Sequence, residues 1–378
     1  MFSLLRDEIL KTSDAIVVKV GTNVLSRKNG LLNEPRIVQL CSDVCSLIEQ
    51  KRRVVLVTSG AVGAGMGQLA LTERPTEIAY LQAVAAIGQG KLIETYAQIL
   101  RLYGVTCAQI LLTAHDLSQR ESYLNTRNTI LTLLDLGVLP IINENDTVSV
   151  AELHTTFGDN DRLAALVANL FDCPLLILLT DVEGLFDRDP KDPDAKLLPV
   201  IEQWSPDLMQ MVADKTTGRS KGGMASKLKA AKMITASGGN VIIAHGEREE
   251  TLRQIFSGHE TGTIFLTQNY LTARKRWLGF AVRTKGHLVL DEGAVNAVVK
   301  KGRSLLPVGI VDADGAFERG EMVSLVDLNK KEIGRGLTNY GLRDVLRICG
   351  KKTAELQANI GQNVYTEVVH RDNMQLFE

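Results

Sequence analysis

The 378 residues carry 43 Lys+Arg against 44 Asp+Glu, a formal net charge of −1, with 45% hydrophobic and 23% charged residues. That length predicts two or three domains with a substantial core, and the balanced charge gives no global reason to expect nucleic-acid or membrane binding. No apolar run approaches the roughly 20 residues of a membrane span, and the acidic start MFSLLRDEILKTSD does not read as a signal peptide, so a soluble, cytoplasmic protein is expected.

In chain order, Ala15 to Val20 is a β-branched run ended by Gly21-Thr22-Asn23. Helical periodicity follows over Glu34 to Lys51, then a buried strand over Val54 to Thr58. This strand breaks at the glycine run Ser59 to Gly67. A helix over Ile78 to Leu102, a strand over Val105 to Leu112, a helix over Tyr123 to Leu136 and a strand over Val138 to Ile142 come next. Beyond these lie strands at Leu175 to Leu179 and Val241 to Ala244, the second after a helix over Met224 to Ala236. Apolar strands alternating with helices predict an α/β domain, an open and mostly parallel sheet sandwiched by helices.

Residues 267–276 read as a polar linker ending in Arg274-Lys275-Arg276. Past them the chain changes to short strands and glycine turns, predicting a small, mainly β, barrel-like module. The expected boundaries are 1–266, linker 267–276, 277–357 and a tail 358–378. Residues 273–352 hold 16 Lys+Arg against 9 Asp+Glu, which marks the second domain as different in character. The five cysteines form no CxxC pair, and no histidine stands near Cys41 and Cys45. They read as reduced, mostly buried thiols rather than a metal site.

The stretch Asn143 to Leu166 concentrates polar side chains: Asn143, Glu144, Asn145, Asp146, Asp159, Asn160 and Asp161. One Asp or Asn suffices to cap a helix; seven at the carboxyl end of a buried strand predict a site for a small, polar, partly cationic molecule. Lys19, near the end of a buried strand, is either a snorkelling edge lysine or a phosphate-facing cation. The Gly60–Gly67 run is either a tightly packed turn or an anion cradle, and it fits neither GxGxxG nor the P-loop pattern. Ser220 to Lys227 places adjacent glycines at a helix start, where free N–H groups attract anions and Lys227 can reach back over them.

Lined up, these stretches resemble the glutamate 5-kinase branch of the amino-acid-kinase superfamily: VVKVGTNVL (17–25), VTSGAVGAG (57–65), PIINEND (140–146), FGDNDRLAALVA (157–168), LLTDVEGLF (178–186) and GGMASKLKAA (222–231). KRWLGF, SLLPVGIV, FERGEMV and IGRGLTNY resemble a PUA domain. The resemblance implies ATP-dependent phosphorylation of the L-glutamate side-chain carboxylate, with ATP and Mg²⁺ as cofactors. It makes Lys19, Lys227 and Asp161 the catalytic set, and Ser59, Asp146 and Asn160 the glutamate-binding set. Nucleotide binding falls to Lys19, Thr180, Asp181, Lys221, Gly222, Gly223, Met224, Ala225, Ser226 and Lys227. Proline feedback inhibition and a homo-oligomer are also implied. Lys221 departs from the family's threonine, which removes a hydroxyl and adds a cation.

These residue types suit the chemistry. A substrate carboxylate is ionised at neutral pH, so no general base is needed. The difficulty is bringing an anion up to a polyanion, which calls for positioning and charge neutralisation. Asp146 then serves the amino acid's ammonium. The alternative is an RNA-binding role for the second module, which its modest excess of positive charge and few aromatics argue against.

Overall fold

The computed structural model describes residues 2–27, 29–149, 159–171, 174–205, 208, 223–267, 284–351 and 365–377. The chain divides into two units, Met1–Tyr270 and Leu271–Glu378.

The first unit is built on eight strands: β1 (Ala15–Val20), β2 (Arg53–Val57), β3 (Cys107–Leu112), β4 (Leu139–Glu144), β5 (Leu175–Thr180), β6 (Val200–Ile201), β7 (Asn240–His245) and β8 (Thr263–Phe265). They form one sheet in the order β3-β4-β2-β1-β5-β7-β8-β6. Its pairings are parallel except between β7 and β8. Among the described residues its helices are α1 (Phe2–Thr12), α2 (Thr22–Leu25), α3 (Glu34–Glu49), α4 (Ala61–Gln68), α5 (Ile78–Leu102), α6 (Ala114–Ser118), α7 (Arg120–Asp135), α8 (Asp159–Ala168), α9 (Gly223–Ala236) and α10 (Thr251–Phe256).

The central strands are runs of Val, Ile and Leu because both of their faces are covered. Ile16, Val18 and Val20 join the core formed with Ile37, Leu40 and Val44 of α3 and Val84, Leu92 and Tyr96 of α5. Strand alternation sends Val17 and Lys19 to the opposite face, where α8 packs against β1 and α9 against α8. Since β2 and β5 flank β1 on opposite sides, successive connections diverge and leave a crevice at the strands' carboxyl ends.

The glycine run holds a surprise. Only its start is a turn, at Gly60 with φ +103°; Ala61 to Gln68 is helical. The glycines serve helix packing. A Cβ on Gly65 would lie 2.0 Å from the Val84 carbonyl oxygen, and one on Gly88 would lie 1.8 Å from that of Ala61. Thus α4 and α5 approach more closely than any side chain at these positions permits. A run read by propensity as loop is helical because tertiary contact outweighs the entropic cost of glycine.

The second unit is a five-stranded sheet of β9 (Gly286–Leu290), β10 (Ile310–Gly315), β11 (Met322–Val326), β12 (Glu332–Thr338) and β13 (Val369–Leu376), in the order β10-β9-β11-β12-β13. Its core gathers Leu288, Leu290, Val323, Leu325 and Val369. The segment 358–378, expected as a tail, contributes β13, paired antiparallel with β12. Its alternation is broken by Arg371-Asp372-Asn373, which is why it does not read as a strand. The expected linker 267–276 lies outside the described residues except for Thr267.

Candidate active site

Lys19 lies one residue before the end of β1, in register with Val57 of β2 and Leu178 of β5. Its Nζ lies 2.7 Å from Oδ1 of Asp161 on α8. The other oxygen, Oδ2, lies 3.5 Å from Nζ of Lys227 and accepts a 2.7 Å hydrogen bond from Oγ of Ser226. Lys227, the fifth residue of α9, folds back along its helix and also donates to the Gly223 carbonyl at 3.1 Å. Two ammoniums and one fully buried carboxylate therefore meet above the sheet.

Burial is the largest influence on the Asp161 carboxyl and would raise its pKa, but Lys19, Lys227 and Ser226 outweigh it and hold the group below the ordinary carboxylate range. For Lys227, burial lowers the ammonium's pKa; Asp161 opposes this and Lys19 reinforces it. The two ammoniums meet at one carboxylate, and Lys227 also feels the Asp181 charge. Buried ammoniums gathered in one place suit a spot that an anionic group is to enter.

The residue before Asp161 organises the neighbouring region. Nδ2 of Asn160 donates to Oγ of Ser59 at 2.8 Å, to the Thr58 carbonyl at 3.0 Å and to Oδ1 of Asn143 at 3.2 Å. The start of α8 thus ties the ends of β2 and β4 to the lysine cluster. Asp146, two residues past β4, is buried, and its Oδ1 finds no hydrogen-bond partner among the described residues. Burial pushes its carboxyl up to about 6, partly offset by Arg74. An acid held this way gains from an arriving cation.

At the end of β5, Thr180 Oγ1 donates to Asp181 Oδ1 at 2.9 Å, and Asn23 Nδ2 donates to Asp181 Oδ2 at 2.8 Å. Burial raises the Asp181 carboxyl, but these bonds and the charge of Lys227 hold it low. Gly223, Met224 and Ala225 form the half-buried first turn of α9. Lys221 and Gly222 lie outside the described residues, as does the Asp159 side chain.

Asn23, Gln82, Gln89 and Tyr96 all touch this set, and motif reading did not single them out. Gln82, Gln89 and Tyr96 did leave a signal: they stand seven residues apart on α5. No group of three or more His, Cys, Asp or Glu side chains among the described residues is arranged to hold a metal ion. Both oxygens of Asp161 and of Asp181 are already engaged. These carboxylates therefore do not fit as a ready-made Mg²⁺ site. Of the cysteines, Cys41 and Cys45 are buried and their thiols raised by burial, Cys45 to about 11, which suits inert reduced thiols. No helix among the described residues is long and apolar enough to cross a membrane.

Known proteins resemble this chain over nearly its whole length. The Amino acid kinase family pattern matches residues 14–245, and the PUA domain pattern matches 286–360. The chain is 47% identical over 365 residues to a glutamate 5-kinase of Caldanaerobacter subterraneus subsp. tengcongensis, covering 96% of this chain and 98% of that one. It is 45% identical over 367 residues to one of Moorella thermoacetica, covering 97% of each. It is 43% identical over 373 residues to one of Rhodopirellula baltica, covering 98% of this chain and 96% of the other. With lysines from β1 and α9 on one buried aspartate and likeness running nearly end to end, this chain belongs to the amino acid kinase family, within its glutamate 5-kinase group.

Proposed function

We propose that the protein transfers the γ-phosphoryl group of ATP to the side-chain carboxylate of L-glutamate, giving L-glutamyl 5-phosphate and ADP, the entry step of proline synthesis. The observation that carries this reading is the convergence of Lys19 and Lys227 on Asp161. Transfer between two anions needs no base, but it needs fixed positive charge where the phosphoryl group passes. Asp161 holds the two ammoniums apart and aimed at one place.

Ser59 and Asn160 sit beside this cluster and receive the amino acid, with Asp146 behind them for its ammonium. An acid in a pocket for an acidic substrate is otherwise a liability. Thr180, Asp181 and the start of α9 (Gly223 to Lys227, preceded by Lys221 and Gly222) hold the nucleotide. Mg²⁺, when present, supplies further neutralisation of the nucleotide's phosphates. Proline feedback, a homo-oligomer and a cytoplasmic location are carried by the family resemblance alone.

The test is an acceptor screen with radiolabelled ATP against L-glutamate, aspartate, N-acetylglutamate and UMP, with hydroxylamine trapping any acyl phosphate. Hydroxamate formed with glutamate alone is the expected result. Phosphorylation of UMP or N-acetylglutamate in its place overturns the substrate assignment.

A further inference from the structure

Helix α5 carries a polar stripe that ends, residue by residue, on the amino-acid side of the site. Gln82, Gln89 and Tyr96 are separated by seven residues each, which on an α-helix keeps them on one face with about 20° of drift per step. Gln82 Nε2 donates to the Asp146 carbonyl at 3.1 Å. Gln89 Oε1 accepts from Asn143 Nδ2 at 2.8 Å. Tyr96, fully buried, shares a 2.9 Å hydrogen bond with Thr58 Oγ1. Each contact falls on the carboxyl end of β2 or β4 or on the residues just after it.

Two backbone groups fix the sense of the chain of bonds that starts at Gln89. The Glu144 N–H can only donate, and it reaches Asn143 Oδ1 at 3.0 Å. The Thr58 carbonyl can only accept, and it meets Asn160 Nδ2 at 3.0 Å. Asn143 must therefore present its oxygen to Asn160 and its NH₂ to α5, where Gln89 Oε1 is the acceptor that satisfies it. Asn143 is 2% exposed, so without Gln89 its NH₂ group has little water to turn to. The close packing of α4 against α5 at Gly88, next in the chain to Gln89, sets where that acceptor stands.

We propose that Gln89 is a positioning residue for the amino-acid substrate, acting through Asn143 on Asn160 and Ser59, and that Gln82 does the same for the main chain at Asp146. The inference rests on the reading that these residues receive the amino acid. Neither glutamine bonds to Lys19, Lys227 or Asp161, so the direct effect of losing one falls on the amino-acid side of the site.

The experiment is steady-state kinetics with each substrate varied in turn for the full-length wild type, Gln89→Met, Asn143→Ala, the double variant and Gln82→Met. Gln89→Met keeps the length and removes the acceptor. Loss of one such bond is worth about tenfold in binding. The expected result is a rise of about tenfold in KM for glutamate, with KM for ATP within about twofold of wild type. The double variant should then be no worse than Asn143→Ala, because with Asn143 gone Gln89 has nothing to hold. Gln82→Met, which removes an independent contact, should show the same selectivity if Gln89→Met fails to fold. An unchanged KM for glutamate, a parallel rise in both KM values, or additive costs in the double variant overturns the proposal. A wild type inert toward glutamate but active on another acceptor overturns the substrate reading instead, and the same comparison is then made with that acceptor.

Discussion

Asp146 is the residue whose chemistry is most exposed to test. Its folded-state pKa of about 6 stands above the ordinary carboxylate value. Between about pH 4 and pH 6 the folded protein therefore keeps a proton that the unfolded chain has released. For a raised carboxylate the sign is that stability falls as pH rises through that window, and the penalty is complete above it. Asp146→Asn should accordingly be more stable at pH 7 by on the order of 1–3 kcal/mol, with a flatter stability profile from pH 4 to 6, measured by denaturant titration. The same variant should lose affinity for glutamate about tenfold or more, because the ammonium loses its counter-charge. In the wild type, kcat/KM for glutamate should decline below about pH 6, and that limb should vanish in the variant. Equal stability at pH 7 together with undiminished affinity would remove Asp146 from the site. The sequence marks the residue as part of an unusually polar loop. Its burial and missing partner are not legible there, since both depend on how α5 and the end of β4 close around it.

Among the elements, the long ones announced themselves. The helix Ile78–Leu102 and the core strands follow from apolar periodicity and β-branched runs, and the structure moves their ends by only a residue or two. Helix α4 was hidden, because Gly63, Gly65 and Gly67 argue for a loop on propensity. What makes it helical is its contact with α5, a fact of packing that no local window contains. This gives a sharp expectation. Gly88→Ala puts a methyl 1.8 Å from the Ala61 carbonyl oxygen, so α4 and α5 must part. Destabilisation of about 1–3 kcal/mol or more is expected, and the thermal midpoint should fall. By contrast Gly90→Ala, where a Cβ meets nothing within 4 Å, should raise stability by a few tenths of a kcal/mol to about 1 kcal/mol, since glycine is the poorer helix former. A Gly88→Ala protein as stable as the wild type would contradict the packing account. The polar stripe of α5 was present in the spacing too, but a helix carrying that many core residues draws attention to its apolar face.

At the scale of the whole molecule, the fold brings together residues that the chain keeps far apart. Lys19 lies near the end of the first strand and Lys227 just past the first turn of a helix more than half the chain later, yet both ammoniums reach one carboxylate on α8. Periodicity makes each of them a candidate, and the family resemblance puts them in one site. Only the order of the sheet explains the meeting: the chain runs from β1 outward to β2, β4 and β3 on one side and returns to β5 on the other, and α8 packs over β1 between them. Catalysis depends on that shared charge. Its most direct test is the turnover of Lys227→Ala in the hydroxylamine-trapped glutamate reaction, with folding and glutamate binding checked in the same preparation. A fall in kcat on the order of a hundred- to a thousand-fold, with glutamate affinity preserved, is the result the account predicts. Turnover within a few-fold of the wild type would contradict it.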